Sequence, residues 1–183
     1  MIIKNIIQIG NPILSRKSKS VSNIKSKEIK KVIKDLVDSL HHFGLVGIAA
    51  PQIGKNLRIF ITEIRKTKYR KGKETDKLRI FINPKITWSS KDKVVMYEGC
   101  GSVAYSKIFG PVKRPKKIMI EAYNEKGDKF KLKADKLLSC VIQHENDHLN
   151  GISFIENITD MRKIMSSEEY FKMIAKKHKK HKK

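Results

Sequence analysis

The stretch Gln143-His144-Glu145-Asn146-Asp147-His148 carries a His-Glu-x-x-His pattern near the C-terminal end of the chain. On a helix, residues four apart lie on one face about 6 Å apart, so both imidazoles can point at one metal ion. Glu145 follows the first histidine and can reach a water held on that ion, as a general base. The alternative is a helix with two surface histidines, because the bare pattern is not rare.

The residues around this pattern favour a buried helix. Apolar side chains follow helical spacing on both sides of the pattern, at Leu137, Leu138, Val141, Ile142 and Leu149. Asp135 suits an N-cap, and Gly151 lies where a helix C-terminus favours a residue that can adopt positive φ. The sequence therefore predicts a helix from about 136 to 149 that carries the histidines on a largely buried element.

A catalytic zinc-type site needs a third protein ligand, with the fourth position left for water. The chain has two cysteines, Cys100 and Cys140. Cys140 lies eight residues before His148, which is about 12 Å along an unbroken helix. Metal–ligand bonds are only about 2 to 2.3 Å long. We therefore interpret Cys140 as a small buried hydrophobic residue.

Cys100 lies between two glycines in the segment Tyr97-Glu98-Gly99-Cys100-Gly101-Ser102-Val103. The glycines give the backbone freedom and allow another group to approach closely. A cysteine in such a turn can direct its sulfur at a metal while neighbouring N–H groups face a substrate. Without the histidine pair, a free cysteine in a loop would be the simpler interpretation.

A third segment, Gly44-Leu45-Val46-Gly47-Ile48-Ala49-Ala50-Pro51-Gln52-Ile53-Gly54, is rich in small residues. Its glycines and the Pro-Gln pair are typical of a tight turn. Gln52 would place a side-chain amide on a rigid support, where it can donate a hydrogen bond to a developing oxyanion. A purely structural loop after a helix is the alternative.

Together these three segments resemble the peptide deformylase family. That family has a glycine-rich motif ending in Ala-Ala-Pro-Gln, then Glu-Gly-Cys-x-Ser, then Gln-His-Glu-x-Asp-His. Here the motifs are Gly47 to Gln52, Glu98 to Ser102 and Gln143 to His148. The resemblance extends from about Ile7 to Ile158 and includes the segment Gly10-Asn11-Pro12-Ile13-Leu14.

The resemblance implies a metal site made by Cys100, His144 and His148. The expected ion is divalent. The resemblance implies Fe2+, with Zn2+, Ni2+ or Co2+ as substitutes. Ligand type alone would suggest zinc just as readily. The implied activity is hydrolysis of the formyl group at the N-terminal formyl-methionine of nascent polypeptides, with release of formate.

Catalytic roles follow from the same resemblance. Glu145 would take a proton from the attacking water and pass it to the departing amine. The amide of Gln52 and the backbone N–H of Gly101 would stabilise the oxyanion, and Val46 and Gly47 would bind the substrate.

Three further residues are expected behind the ligands. Asp147 can orient a ligating imidazole or anchor the helix, although a solvated helix carboxylate is the alternative. Glu98 and Arg114 are expected to pair and to hold the Cys100 loop in shape.

Two positions depart from the family's pattern. The first glycine of its Gly-x-Gly is replaced by Leu45, and the leucine that often follows the cysteine is replaced by Gly101. The segment Ala104 to Phe109 also fits loosely. These differences leave the metal chemistry intact and affect substrate preference and efficiency.

Composition is consistent with an enzyme of the cytoplasm. The chain has 183 residues, of which 32% are charged and 39% hydrophobic. It has neither an apolar run near the ~20 residues of a membrane span nor the pattern of a signal peptide. Two cysteines give no disulfide framework. We therefore expect a cytoplasmic monomer that makes no contact with membranes.

The net charge of +23 is a second informative feature, because it indicates possible partners. Lysines crowd the last twelve residues, at Lys172, Lys176, Lys177, Lys179, Lys180, Lys182 and Lys183. Such a surface attracts polyanions without sequence specificity. Contact with ribosomal RNA through this tail and the basic surface is one interpretation, and a solvated tail in a lysine-rich protein is the other.

Periodicity predicts an α+β fold with antiparallel sheets packed around a central metal-binding helix, in a single domain. A helix is predicted over residues 27 to 43, ended by Gly44, and strands over Leu57 to Ile64 and Leu78 to Ile82, joined by a basic loop, 65 to 77. A hairpin is predicted from Lys117–Tyr123 and Lys129–Lys133. Ser166 and Glu169 form a capping box for a short final helix. We divide the chain into a catalytic region, 1–165, and a C-terminal helix with basic tail, 166–183.

Two other classes of function remain open from the sequence. A zinc peptidase uses the same His-Glu-x-x-His logic, although a cysteine ligand beside an amide donor suits the deformylase pattern better. A non-catalytic ribosome- or RNA-binding paralogue is suggested by the charge and by Leu45 and Gly101. The intact Glu145 argues against it.

Overall fold

The computed structural model describes residues 5–66 and 75–180, with side chains up to residue 176. In the described part the helices are α1 (Lys27–His42), α2 (Lys136–Leu149) and α3 (Ser167–Lys180). The strands are β1 (Gly47–Ala49), β2 (Ile59–Ile64), β3 (Asp76–Ser89), β4 (Lys93–Gly99), β5 (Ile108–Pro115), β6 (Lys117–Tyr123), β7 (Lys129–Asp135) and β8 (Met165–Ser166). Short 3-10 helices span Pro12–Ser15, Ala50–Ile53, Ala104–Ser106, Phe154–Asn157 and Met161–Lys163.

The strands form two antiparallel sheets. The larger sheet has the order β1-β2-β3-β6-β7, and the smaller one has the order β4-β5-β8. Helix α2 packs on one face of the larger sheet, where Ile142 and Leu149 join a buried cluster with Phe60 and Ile120. The α+β fold built around a central helix is therefore confirmed.

Helix α1 covers part of the opposite face of the larger sheet. Its side chains Val32, Leu36 and Leu40 are buried in a second cluster with Ile59 and Ile61 of β2. Ser26 caps its N-terminus by accepting a hydrogen bond from the Ile29 N–H. The predicted helix over 27 to 43 is confirmed to within one residue, and Gly44 follows it with φ of +64°.

Strand β3 is much longer than the predicted strand Leu78 to Ile82. The pair Asn83-Pro84 resembles a turn in the sequence, yet it forms a β-bulge at which β3 leaves one of its two neighbouring strands. Before the bulge Ile82 pairs with both Ile59 of β2 and Tyr123 of β6, and after it β3 leaves β2 and continues along β6, where Lys85 pairs with Glu121. The Asn83 side chain stabilises the bulge by exchanging two hydrogen bonds with the Val21 backbone, each of 2.8 Å.

The other predicted elements are found with shifted ends. The hairpin is confirmed, and its second strand continues to Asp135. The last helix has 14 residues, so it is not short, and the Glu169 N–H donates to Ser166 Oγ as the cap predicts. Residues 67–74 of the basic loop and 181–183 of the lysine tail lie outside the described residues. No helix in the described part of the chain combines the length and apolarity needed to cross a membrane.

Candidate metal and catalytic site

Helix α2 presents His144 and His148 side by side. The ring centroids are 5.0 Å apart and the rings are nearly perpendicular, at 81°. The helix begins directly after β7 and ends before Gly151, whose φ is +75°. A side chain at Gly151 would collide with the Ser15 backbone, 2.7 Å from the Cβ position. This glycine therefore fixes where the chain turns away from the histidines.

Cys100 comes from the other sheet, at the end of β4. Its Sγ lies 3.2 Å from His148 Nε2. One ligand atom from each of Cys100, His144 and His148 lies within 4.8 Å of the other two. Cys140 lies apart from this group, with its Sγ 3.0 Å from Met96 Sδ, and burial raises its pKa to about 11. Of the two cysteines, the structure therefore brings Cys100 to the histidines.

The three donor atoms fit a divalent metal ion. Bonds of about 2.0 to 2.3 Å in a tetrahedral arrangement place ligand atoms between about 3 and 4 Å apart. The donor atoms here lie within 4.8 Å of one another, so a small closing movement would bring them to these distances. Burial raises the pKa of Cys100, but the charge of His148 and hydrogen bonds from both histidines outweigh burial and hold that pKa well below its usual value. A thiolate with two imidazoles leaves a fourth position for water or substrate.

A buried ionic network holds the first histidine. Glu98 Oε2 lies 2.8 Å from His144 Nδ1, so the Nε2 atom of His144 is the one left for the cluster. Arg114 of β5 donates two hydrogen bonds to Glu98 and one of 2.8 Å to Asp147. The side chains of Arg114 and Glu98 are only 7% and 8% exposed. The expected pair is thus present, and Asp147 anchors α2 through Arg114 rather than by touching an imidazole.

The charges in this network reinforce one another. Burial alone would raise the pKa of Glu98, but hydrogen bonds from His144 and Arg114 lower it to about 2. Burial would lower the pKa of His144, yet hydrogen bonds with Cys100 and Glu98 keep it well above its ordinary value. Glu98 is therefore a firm carboxylate acceptor for the Nδ1–H of His144.

Glu145 lies against the site with little freedom. The residue is 4% exposed, and its Oε2 has no hydrogen-bond partner among the described residues. A Cβ at Gly47 would lie 2.8 Å from Glu145 Cδ, so only glycine leaves room for this carboxylate. Burial raises the pKa of Glu145 to about 7, which suits a group that must both take and give a proton near neutrality.

Gln52 is fixed in one orientation beside Cys100. Its Oε1 accepts a 2.8 Å hydrogen bond from the Ala49 N–H. Its Nε2 donates to Ser102 Oγ at 3.1 Å and lies 3.5 Å from Cys100 Sγ. The donor end of the amide thus faces the cluster of Cys100, His144 and His148. A donor in this orientation could stabilise an oxyanion formed beside the cluster.

Leu45 and Gly101, the two departures from the family's pattern, face each other. A Cβ at Gly101 would lie 3.0 Å from Ile6 Cδ1 and 3.5 Å from Leu45 Cδ1. The Leu45 side chain therefore lies next to the space that a side chain at position 101 would occupy. Val46 and Gly47 follow directly, and Gly47 begins β1, an edge strand of the larger sheet.

Sequence reasoning missed Gln8, which stabilises the Cys100 loop from the N-terminal segment. Its Nε2 donates to the carbonyl of Gly101 at 3.0 Å, and its Oε1 accepts from the Tyr105 N–H at 3.2 Å. Tyr105 has φ of +52°, which is unusual for a residue other than glycine. No local pattern links Gln8 to a loop more than ninety residues away, so this contact could not be predicted from the sequence.

Comparisons with known proteins agree with this geometry. A family model described as polypeptide deformylase matches residues 3–164. Peptide deformylase 1 of Ralstonia nicotianae is 34% identical over 178 residues, covering 97% of this chain and 96% of the relative. The peptide deformylase of Pseudothermotoga lettingae is 33% identical over 177 residues, covering 97% and 95%.

Solved structures give the same result. The Met-Ala-Ser-bound class I type b peptide deformylase from Acinetobacter baumannii superposes with a TM-score of 0.81 at 26% identity, covering 86% of this chain and 99% of that one. Peptide deformylase from Ehrlichia chaffeensis superposes with a TM-score of 0.77 at 27% identity, covering 100% and 98%.

Proposed function

Because the chain belongs to the polypeptide deformylase family and is therefore a metal-dependent hydrolase of N-formyl-methionyl peptides, we propose that the buried cluster between α2 and the Cys100 loop is its active site. The observation that carries this proposal is the placement of Glu145. A buried carboxylate oxygen without a hydrogen-bond partner among the described residues lies beside a Cys-His-His donor set. Such an arrangement suits a water molecule between base and metal.

Cys100, His144 and His148 are the proposed metal ligands. A divalent ion held there supplies Lewis acidity, which makes water a better nucleophile and polarises a carbonyl oxygen. The preference for Fe2+ over Zn2+, Ni2+ or Co2+ rests on the family resemblance. The thiolate ligand makes the site sensitive to oxidation.

Glu145 is the proposed general base and acid. It takes a proton from the water that attacks the formyl carbon and gives that proton to the amine as the C–N bond breaks. The products are formate and a free α-amine. The pKa of about 7 for Glu145 supports both transfers, because it is close to neutral pH.

Gln52 and Gly101 are the proposed oxyanion donors. The Ala49 N–H holds the Gln52 amide in the orientation that directs Nε2 at the site. The Gly101 N–H follows the cysteine ligand directly and lies in the loop that Gln8 stabilises. Loss of one such donor typically lowers the rate by a factor of ~10²–10³.

Val46 and Gly47 are the proposed contacts for the substrate backbone. The edge of β1 can accept an extended peptide as an added strand, by main-chain hydrogen bonds. The relative from Acinetobacter baumannii is described with Met-Ala-Ser bound, which is the deformylated form of a formyl-Met-Ala-Ser substrate. Leu45 and Ile6 would then shape the entrance near Gly101.

We further propose that the protein is a cytoplasmic monomer that binds the ribosome transiently. A net charge of +23 favours contact with ribosomal RNA by release of counterions. Helix α3 supports this role because it carries lysines and is held on β5 by stacking of Tyr170 on Phe109, with centroids 4.2 Å apart.

The direct test is formate release from formyl-Met-Ala-Ser by protein purified without oxygen and loaded with Fe2+ or Ni2+. We expect rapid release by the unchanged chain. The Glu145→Ala variant should lose at least about 10²-fold in kcat, which is the usual contribution of a positioned base, while keeping its metal. The Glu125→Ala variant removes an exposed carboxylate and should behave like the unchanged chain. Full activity in Glu145→Ala would refute the assigned base, and no release by metal-loaded protein would refute the substrate.

A further inference from the structure

The larger sheet has one face that its helices cover only in part. Helix α2 packs on the first face, where Ile118, Ile120 and Ala134 are buried. Helix α1 packs on the second face over β1 and β2, through Leu36 and Leu40. The second face continues onto the late part of β3, β6 and β7, and we call this part the outer face. Its residues are Lys85, Trp88, Lys117, Met119, Glu121, Lys129, Lys131 and Lys133.

The register places these side chains in rows across three strands. Trp88 lies opposite Met119, which lies opposite Lys133. Two residues along each strand, a second row contains Glu121 and Lys131. Neighbouring strands are about 4.8 Å apart and alternate residues about 7 Å apart, so the tryptophan and these lysines lie within reach of one short ligand.

Positive charge dominates the outer face. Lys129 and Lys131 both contact Glu121 at 2.9 Å, yet their side chains remain 61% and 65% exposed. Lys85, Lys117 and Lys133 are exposed and make no ion pair with any described residue. Exposed pairs are weak, so an incoming anion can compete for all five lysines.

Trp88 gives this basic face a flat apolar group. It is the only tryptophan of the chain, and it is 49% exposed although it lies within a strand. Aromatic side chains on a sheet, surrounded by lysine or arginine, are the usual platform for unpaired bases. An anionic membrane would meet the same charge, but insertion favours several apolar groups together, and here the exposed aromatic ring stands among lysines.

We propose that the outer face binds single-stranded nucleic acid, with a base stacked on Trp88 and phosphates contacted by Lys131 and Lys133. Nothing in the deformylase reaction requires these residues, which lie on the opposite side of the sheet from α2. The surface is also separate from α3, which packs on the smaller sheet. Its function would be to hold the enzyme close to exposed RNA by a second attachment.

Binding of labelled oligonucleotides to the full chain tests this proposal. The anisotropy of a fluorescein-labelled twelve-nucleotide oligouridylate would be measured against protein concentration at several salt concentrations, with oligothymidylate in parallel. The single tryptophan provides an independent signal, because stacking quenches its fluorescence. We expect Trp88→Ala to weaken binding about tenfold, and Trp88→Phe to restore most of the loss.

The charge is tested with matched double variants. Lys131→Gln with Lys133→Gln should weaken binding and lower the slope of log K against log salt by about 1.4, since each phosphate contact contributes about 0.7. Lys30→Gln with Lys34→Gln removes the same charge from the exposed side of α1 and should change the affinity less than twofold. Formate release should be unchanged in both, which separates this proposal from the assignment of the active site.

Three results would overturn the proposal. The first is no binding of either oligonucleotide by the unchanged chain. The second is equal weakening by the two double variants, which would indicate diffuse attraction to total charge. The third is a response of Trp88 fluorescence to vesicles of phosphatidylserine and phosphatidylcholine but not to oligonucleotides, which would assign the face to membranes. Preference for oligouridylate would identify RNA as the partner, and equal affinity for both would leave the proposal standing for either nucleic acid.

Discussion

Gly47 and Glu145 depend on each other, although 97 residues separate them in the chain. The carboxylate lies where a side chain at 47 would be, and Glu145 is buried there. In the sequence, Gly47 belongs to the glycine-rich motif and Glu145 belongs to the separate His-Glu-x-x-His motif. Only the fold explains why the first must be glycine, since the reason is contact across space and not local conformation.

The Gly47→Ala substitution should therefore damage catalysis more than folding. A Cβ at this position displaces the Glu145 carboxylate by a fraction of an ångström or more, and a misplacement of about 1 Å can lower the rate about 10²-fold. We expect kcat for formate release to fall by about that factor, while circular dichroism and metal content stay unchanged. Gly110→Ala is the control, because its Cβ would meet the flexible Ile158 Cδ1 at 2.7 Å rather than the base. Equal loss of activity in both variants would contradict this reading.

At the scale of elements, Arg114 ties three of them together. It lies on β5, pairs with Glu98 on β4 and reaches Asp147 on α2, and Glu98 in turn orients His144. The smaller sheet is thereby fixed to α2, which carries the proposed histidine ligands, by charge as well as by packing. Removing one charge from a buried ionic network leaves the remaining charges buried with fewer partners.

Arg114→Leu should lower the free energy of unfolding by about 3 to 5 kcal/mol, because the buried Glu98 carboxylate and the partly buried Asp147 carboxylate lose this cation. The matched variant Arg162→Leu removes an arginine that is 90% exposed and pairs with Asp160, and it should change stability by less than about 1 kcal/mol. Urea unfolding of both variants, followed by circular dichroism, makes the comparison. Similar midpoints for the two would show that the buried network adds nothing to stability.

The parts that the sequence predicted are those whose signals are local. Helix α2, helix α1 and the β6–β7 hairpin have their own periodicity and turn residues, and the His-Glu-x-x-His spacing lies within one element. The extent of β3 could not be predicted, because Asn83-Pro84 resembles a turn until Val21 pairs with it. The hydrogen bond from Gln8 to the Gly101 carbonyl and the packing of Leu45 beside Gly101 likewise join segments that are distant in the sequence.

At the scale of the whole molecule, the candidate ligands come from two separate parts, one beside each sheet. Cys100 directly follows β4 of the smaller sheet, and the histidines lie on the helix that covers the larger one. A metal bound by all three would join these parts, and a ligand that binds only the folded state stabilises it. Metal binding and folding should therefore be coupled.

Removal of metal by a chelator should lower the melting temperature. At a free metal concentration 100 times Kd the stabilisation is about 2.7 kcal/mol, which corresponds to about 5 to 10 °C for a chain of this size. The shift should disappear in Cys100→Ser and persist in Cys140→Ser, because Cys140 lies outside the ligand cluster. Scanning calorimetry with and without metal measures both. An equal shift in the two variants would exclude Cys100 as a ligand.

The tight fit of Gly47 against Glu145 also limits how this enzyme could escape an inhibitor. A compound that contacts only the Gly47 backbone and the Glu145 carboxylate leaves no tolerated resistance substitution at either position if Glu145 is the base, as proposed, since any side chain at 47 displaces this carboxylate and any shortening at 145 removes it. Resistance would have to arise at side chains beside Gly101, such as Leu45 and Ile6. An inhibitor that avoids those two side chains would therefore be the hardest for a growing population to evade.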